Sequence, residues 1–227
     1  MKRYVIGNWK CHKSTADGEK WLDLFARHYK ARKDLNVIIA PSFVSLEGVA
    51  NHLARLNLPG VFLASQDVSP FPKGGYTGAV AADMVRDLVD YVICGHSERR
   101  KYFHETDQDV VNKAGEVVDA GLVPIICVDT SQVSAQSAGM ADLDCRDMIV
   151  AYTPVEALNF NIPESPARVT ESLRHIRRIY GDWPIIYGGA LGRDNVENYL
   201  AIEELSGIFL GSSSLDADNF AALCNMA

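Results

Sequence analysis

Tyr91-Val92-Ile93-Cys94-Gly95-His96-Ser97-Glu98-Arg99-Arg100 joins two kinds of sequence back to back. Four apolar residues run without a polar interruption. A glycine then opens onto a histidine, a carboxylate and two arginines. A strand with one wet face alternates apolar and polar side chains, so an unbroken apolar run marks a strand covered on both faces, as in a parallel sheet. Polar residues directly after such a strand stand where α/β folds place their chemistry.

The pattern recurs along the whole chain. Apolar, β-rich runs occur at Tyr4–Gly7, Val37–Ala40, Val61–Ala64, Tyr91–Cys94, Pro124–Val128, Met148–Tyr152, Ile185–Tyr187 and Ile208–Leu210. Amphipathic stretches separate most of them. From Ser14 to Arg32, Trp21, Leu22, Leu24, Phe25 and Tyr29 form one apolar stripe. Thr106 to Ala120 starts on Thr-Asp and stops before Gly121, a suitable left-handed terminator. Pro166 stands at a favoured first helical position, and Val169, Leu173 and Ile176 follow on one face. These βα units predict an α/β chain folded as a closed (β/α)8 barrel, residues 1–227 in one domain, with a doubly wound open sheet as the alternative. One unit is short. Asp129 to Asp147 is rich in Ser, Ala, Gly and Asp and offers only Val133, Met140 and Leu143 for packing. It predicts a long loop or a single short turn of helix, not a full barrel helix.

Bulk properties narrow the function. The 227 residues are 48% hydrophobic and 22% charged, with a formal net charge of −7. No run of Lys or Arg suggests a nucleic-acid footprint, so no nucleic acid is expected as partner. The five cysteines are odd in number and lack CxxC or metal-ligand spacing. They fit free thiols in a reducing compartment and no metal or other cofactor. Met1-Lys2-Arg3 leads straight into a strand-like run, without the apolar stretch of a signal peptide. No segment approaches the ~20 apolar residues that span a bilayer. The expectation is a cytoplasmic protein with no membrane segment.

In a barrel, side chains at the carboxyl ends of the strands face the active site. Those positions are Asn8 and Lys10, His96 and Glu98, Thr153, Gly188-Gly189 and Gly211-Ser212. Lys10 supplies a fixed positive charge for an anionic sugar phosphate. A neutral His96 could polarise a carbonyl. Backbone N–H groups in the glycine-rich turns could hold a phosphate.

Five ordered motifs make the reading specific: Gly7-Asn8-Trp9-Lys10, Gly95–Arg100, Ala151-Tyr152-x-Pro154-Val155, Tyr187-Gly188-Gly189 and Leu210-Gly211-x-x-Ser214-Leu215. Together they resemble the triosephosphate isomerase family over nearly the whole chain, one motif per expected strand end. The resemblance implies a cofactor-free aldose–ketose isomerase of glycolysis and gluconeogenesis, interconverting dihydroxyacetone phosphate and glyceraldehyde 3-phosphate. It implies that Asn8, Lys10 and His96 form the electrophilic half of the site, with Glu98 as the family's second carboxylate beside the lysine. It also implies a homodimer, through a third loop at Gln66–Gly78 that inserts into the partner's site.

The departures cluster in the other half. Thr153 stands where the family has its proton-abstracting glutamate, and a threonine hydroxyl is far too weakly acidic to be that base. The lid Val155-Glu156-Ala157-Leu158-Asn159-Phe160-Asn161-Ile162 has lost the family's glycines and tryptophan. Ala190 replaces a phosphate-contacting serine, and Ser212 a glycine. The family's Cys-x-Gly-Glu motif after strand five reads Cys127-Val128-Asp129-Thr130. Phosphate binding would then rest on backbone N–H groups of Asn159, Gly188, Gly189, Ala190, Gly211 and Ser212. The expected function is strongly impaired isomerisation. Two alternatives stand beside it: a non-catalytic barrel, a pseudoenzyme, that binds a small phosphorylated ligand or other small anion; and an isomerase of another sugar phosphate using Glu156 or Glu98 as base.

Overall fold

All eight apolar runs form strands in a computed structural model of the chain, which describes residues 2–227. They are β1 (Arg3–Asn8), β2 (Leu35–Ala40), β3 (Val61–Ser65), β4 (Tyr91–Cys94), β5 (Val123–Val128), β6 (Ile149–Tyr152), β7 (Ile185–Tyr187) and β8 (Gly207–Leu210). Each pairs in parallel with its neighbours in sequence order, and β8 closes onto β1 through the register Tyr4↔Gly207 to Gly7↔Leu210. That last pairing excludes the open sheet.

Strand alternation explains why the runs are apolar throughout. One set of residues, including Ile6, Ile38, Ile93, Ile125, Ala151, Ile186 and Phe209, fills the barrel interior. The alternate set, including Val5, Val37, Val92, Ile126, Val150 and Ile208, packs outward against the helices. Both faces are dry, so apolar side chains dominate on each.

The helices among the described residues are α1 (Thr15–His28), α2 (Phe43–Leu56), α3 (Ala82–Val85), α4 (Ser97–Phe103), α5 (Asp107–Asp119), α6 (Val133–Gly139), α7 (Val155–Phe160), α8 (Pro166–Tyr180), α9 (Val196–Leu200) and α10 (Ala217–Met226). Local chemistry sets their ends. Ser14 and Thr106 close capping boxes with Asp17 and Asp109. Gly121 follows α5 with φ +78, and Pro166 opens α8 behind the Ser165 cap. The first helix is shorter than its apolar stripe predicts. Tyr29 turns to extended backbone, stacks on Phe25 and donates its hydroxyl proton to Pro59 O at 3.0 Å.

Between β5 and β6 the chain forms only the seven-residue α6 and irregular backbone. This is two turns, slightly more helix than the expected single turn. Val133 and Met140 are buried and Leu143 packs against the same core, so the few apolar residues available do seal the wall. No helix among the described residues is long and apolar enough to cross a membrane.

Candidate active site

Inward-facing positions continue past the strand ends at the same two-residue period. Ile6 leads to Asn8 and then Lys10, Ala151 to Thr153, Ile186 to Gly188 and Phe209 to Gly211. Strand geometry thus delivers five of the sequence-derived residues to one place. They line a small shared cavity of about 30 Å³, together with His96, Leu158 and Phe209.

Lys10 is held in left-handed backbone, φ +52. That conformation costs a non-glycine residue about 1–2 kcal/mol. Two hydrogen bonds hold it there: the Lys10 N–H donates to Asn8 Oδ1 (2.9 Å), and Gln66 Nε2 donates to Lys10 O (2.9 Å). Backbone strain maintained by side chains is characteristic of functional positions. Lys10 Nζ meets Glu98 Oε1 at 2.6 Å, while Arg99 pairs instead with Asp67 and Glu105. Glu98 is therefore the lysine's counter-ion.

His96 caps α4. Its Nδ1 accepts the Glu98 backbone N–H at 3.2 Å, which leaves Nε2 as the protonated nitrogen. Burial is the main reason its pKa falls, to about 4, with Glu98 opposing and the Lys10 charge assisting. The α4 N-terminus acts in the same direction. A neutral imidazole at neutral pH is a hydrogen-bond donor suited to a substrate oxygen. Gly95 before it has φ +77, and a Cβ there would meet Val110 at 3.0 Å. Only glycine seats the histidine.

The depressed His96 pKa has a thermodynamic consequence. The unfolded histidine takes up a proton near pH 6.5 while the folded one resists until about pH 4. Stability is therefore present above pH 6.5 and is lost as pH falls through that window. Urea unfolding is expected to show about 2 kcal/mol of His96-dependent loss between pH 7 and 5. A His96→Gln variant with the same pH slope as the parent would contradict this.

Thr153 is buried against Gly188, and its N–H donates to Val128 O at 2.9 Å. Beside its hydroxyl, burial pushes the Cys127 thiol up to about 12. Neither group is a base at neutral pH. None of the residues lining the shared cavity is a carboxylate. Glu156 is exposed on α7 and lines neither this cavity nor its neighbours.

A larger polar cavity of about 370 Å³ continues from Lys10 to Gly188, Ala190, Gly211, Ser212 and Ser213, with Asp194 on its lining. Ser212 adopts a 3-10 turn without positive φ, so the loss of glycine there introduces no backbone strain. Ala190 does carry the strain, at φ +50. Gly189 and Asn159 are outside the lining of this cavity. Asn159 is exposed, and its Oδ1 accepts from Lys101 Nζ at 3.0 Å. Gly189 lies against the Tyr187 hydroxyl, where a Cβ would clash.

Leu158 and Phe209 were not among the sequence candidates, because each reads as an ordinary packing residue. Both line the two cavities, and Phe209 meets the edge of His96 at 6.0 Å between ring centroids. Gln66, in sequence the start of a loop, continues the inward period from Ala64, and that period is the signal that places it. The helix α7, in the segment expected to be the lid, is anchored at its start, where the Val155 N–H donates to Asp129 Oδ2 at 2.8 Å. Among the described residues, no group of three or more His, Cys, Asp or Glu side chains could hold a metal ion.

The chain matches the family model described as Triosephosphate isomerase over residues 3–227. It is similar to the triosephosphate isomerase of Mesomycoplasma hyorhinis, 31% identical over 244 residues, covering 99% of this chain and 98% of that protein. It is also similar to those of Mycoplasmoides gallisepticum (31%, covering 98% and 97%) and Thermodesulfovibrio yellowstonii (30%, covering 98% and 98%).

Proposed function

The chain belongs to the triosephosphate isomerase family, and we propose that it binds triose phosphates and isomerises them slowly, its electrophilic half intact and its base absent. One observation carries this reading. Lys10 and a neutral His96 line a cavity with Thr153, and none of its lining residues is a carboxylate.

In this scheme the polar cavity takes the phosphate on Lys10 and on backbone N–H groups from Gly211 and Ser212. Lys10 and His96 Nε2–H stabilise the negative oxygen of the enediolate. Proton removal from the adjacent carbon falls to water. The loss of a positioned base lowers turnover by about 10²–10⁴. Glu98 is tied to Lys10 and supports the electrophile instead of replacing the base.

A homodimer fits the same reading. The loop from Gln66 to Gly78 exposes a stacked pair, Phe71 and Tyr76, with ring centroids 4.8 Å apart. A cavity of about 500 Å³ opens sideways from Lys10 and His96 past the exposed Tyr102 and Phe103. Its apolar rim supports the reading that it takes that loop from a second copy. Free thiols at all five cysteines support a cytoplasmic setting, in glycolysis and gluconeogenesis.

A coupled assay of both triose phosphates tests the proposal. Weak turnover is expected in the parent chain and none in His96→Gln. Equal background in both would leave the non-catalytic reading, in which the polar cavity binds inorganic phosphate without chemistry.

A further inference from the structure

The polar cavity of about 370 Å³ holds a charge that phosphate binding leaves unused. The charged groups on its lining are Lys10, just past β1, and Asp194, just ahead of α9. Lys10 already has a counter-ion, with Glu98 Oε1 at 2.6 Å. Asp194 has none. Neither an ion pair nor a hydrogen bond engages its carboxylate among the described residues, and Arg193 beside it donates to Asp218 O instead. A doubly charged anion in this cavity meets one neutralised lysine and one bare carboxylate.

The carboxylate stands beside two other lining residues. Its Oδ1 is 2.8 Å from the point where a Cβ on Gly192 would sit, and Ser213 Oγ is 3.9 Å from the same point. The side-chain donors around it are spent. Ser213 Oγ donates to Leu191 O, and Asn195 Nδ2 donates to Ala190 O at 3.2 Å while its Oδ1 accepts the Gly192 N–H at 3.0 Å. An ionised carboxylate only accepts hydrogen bonds. An anion that displaces water from Asp194 must therefore bring a donor in its place. A phosphate that keeps one proton does so through P–O–H, in the short, charge-assisted class of bond. Sulfate keeps no proton near neutral pH and cannot.

We propose that Asp194 is a specificity-determining residue: on the reading that this cavity takes a phosphate, its carboxylate accepts the P–O–H proton and selects the protonated group over fully ionised anions. The wrong anion is rejected because it is left against an unpaired like charge. A phosphate monoester gives up its last proton at about pH 6, so the chain takes its sugar phosphate in the singly protonated form.

The test titrates inorganic phosphate and, separately, sulfate into the full chain at neutral pH and reads binding by calorimetry. Inorganic phosphate retains at least one proton there. It is expected to bind about 10-fold more tightly than sulfate, the lower end for a hydrogen bond to a charged group. Asp194→Asn, which puts a donor in the same volume at an exposed position, should erase the preference and keep the parent's thermal melt. Equal affinity of the parent for both anions overturns the inference. So does a preference that survives Asp194→Asn. Binding of either anion only after that change also overturns it, and makes the carboxylate a general repellent. Binding of neither anion by parent or variant overturns more, because the phosphate reading of the cavity falls with it.

Discussion

Thr153→Glu is expected to raise triose phosphate turnover by about 10²-fold, the lower end of what a positioned general base contributes. The backbone is ready for the carboxylate. Thr153 faces inward in step with Ala151, and its N–H is fixed by Val128 O. His96 is neutral, and Lys10 lines the same cavity. Space sets the limit. The cavity shared by Thr153, Lys10 and His96 holds only about 30 Å³, and Leu158 and Phe209 help to close it. A longer side chain must push Leu158 outward on α7, which is tethered through Asp129–Val155 and Lys101–Asn159. That displacement keeps the gain from the upper end of the range. Single-turnover kinetics separate the causes: ligand binding with no faster chemistry would assign the defect to the rewritten lid instead of the missing base. Adding His96→Gln to Thr153→Glu should erase the gain, because base and electrophile act on the same transition state.

The barrel was legible because its signal is redundant. Each strand is dry on both faces, so the apolar runs stand out, and glycine or proline punctuates several helices. The site positions followed from the same period of two, which carries Asn8, Thr153, Gly188 and Gly211 past the strand ends. Residues whose role depends on neighbours distant in sequence were not legible. Leu158 and Phe209 look like any core apolar residue, and only the closed barrel brings them over His96. The backbone N–H of Asn159 is expected at the phosphate because of its place in the sequence. Its side-chain oxygen accepts from Lys101 in a helical turn at the segment expected to be the lid. The helical propensity of Val155–Phe160, free of glycine, is the local signal that could have indicated this.

Lys113→Met is expected to destabilise the fold by about 3–5 kcal/mol, the usual effect of removing one partner from a buried ion cluster. Lys113 is almost fully buried on α5, and its Nζ contacts Asp67 Oδ1 at 2.6 Å and Glu105 Oε2. Arg99 completes the cluster at 2.9 Å from Asp67 and 2.7 Å from Glu105. Two carboxylates thus face two cations. Methionine keeps the packing volume of the lysine stem but leaves the carboxylates with Arg99 alone, itself 30% exposed. For a domain of this size the loss corresponds to a melting temperature lower by roughly 6–20 °C. The pH dependence distinguishes electrostatics from packing. Burial already raises the Asp67 carboxyl above its ordinary value and the Lys113 charge opposes that, so losing the lysine raises it further and the deficit should shrink as the pH falls towards 5. A loss below 1 kcal/mol, or one insensitive to pH, would show that the cluster contributes little. The consequence reaches the site, because Glu105 Oε1 accepts the Gly95 N–H that sets up His96. Asp67 follows Gln66, which holds the strained Lys10 backbone. The cluster fixes both segments that present the electrophile, so Lys113→Met should weaken His96-dependent turnover as well as the fold.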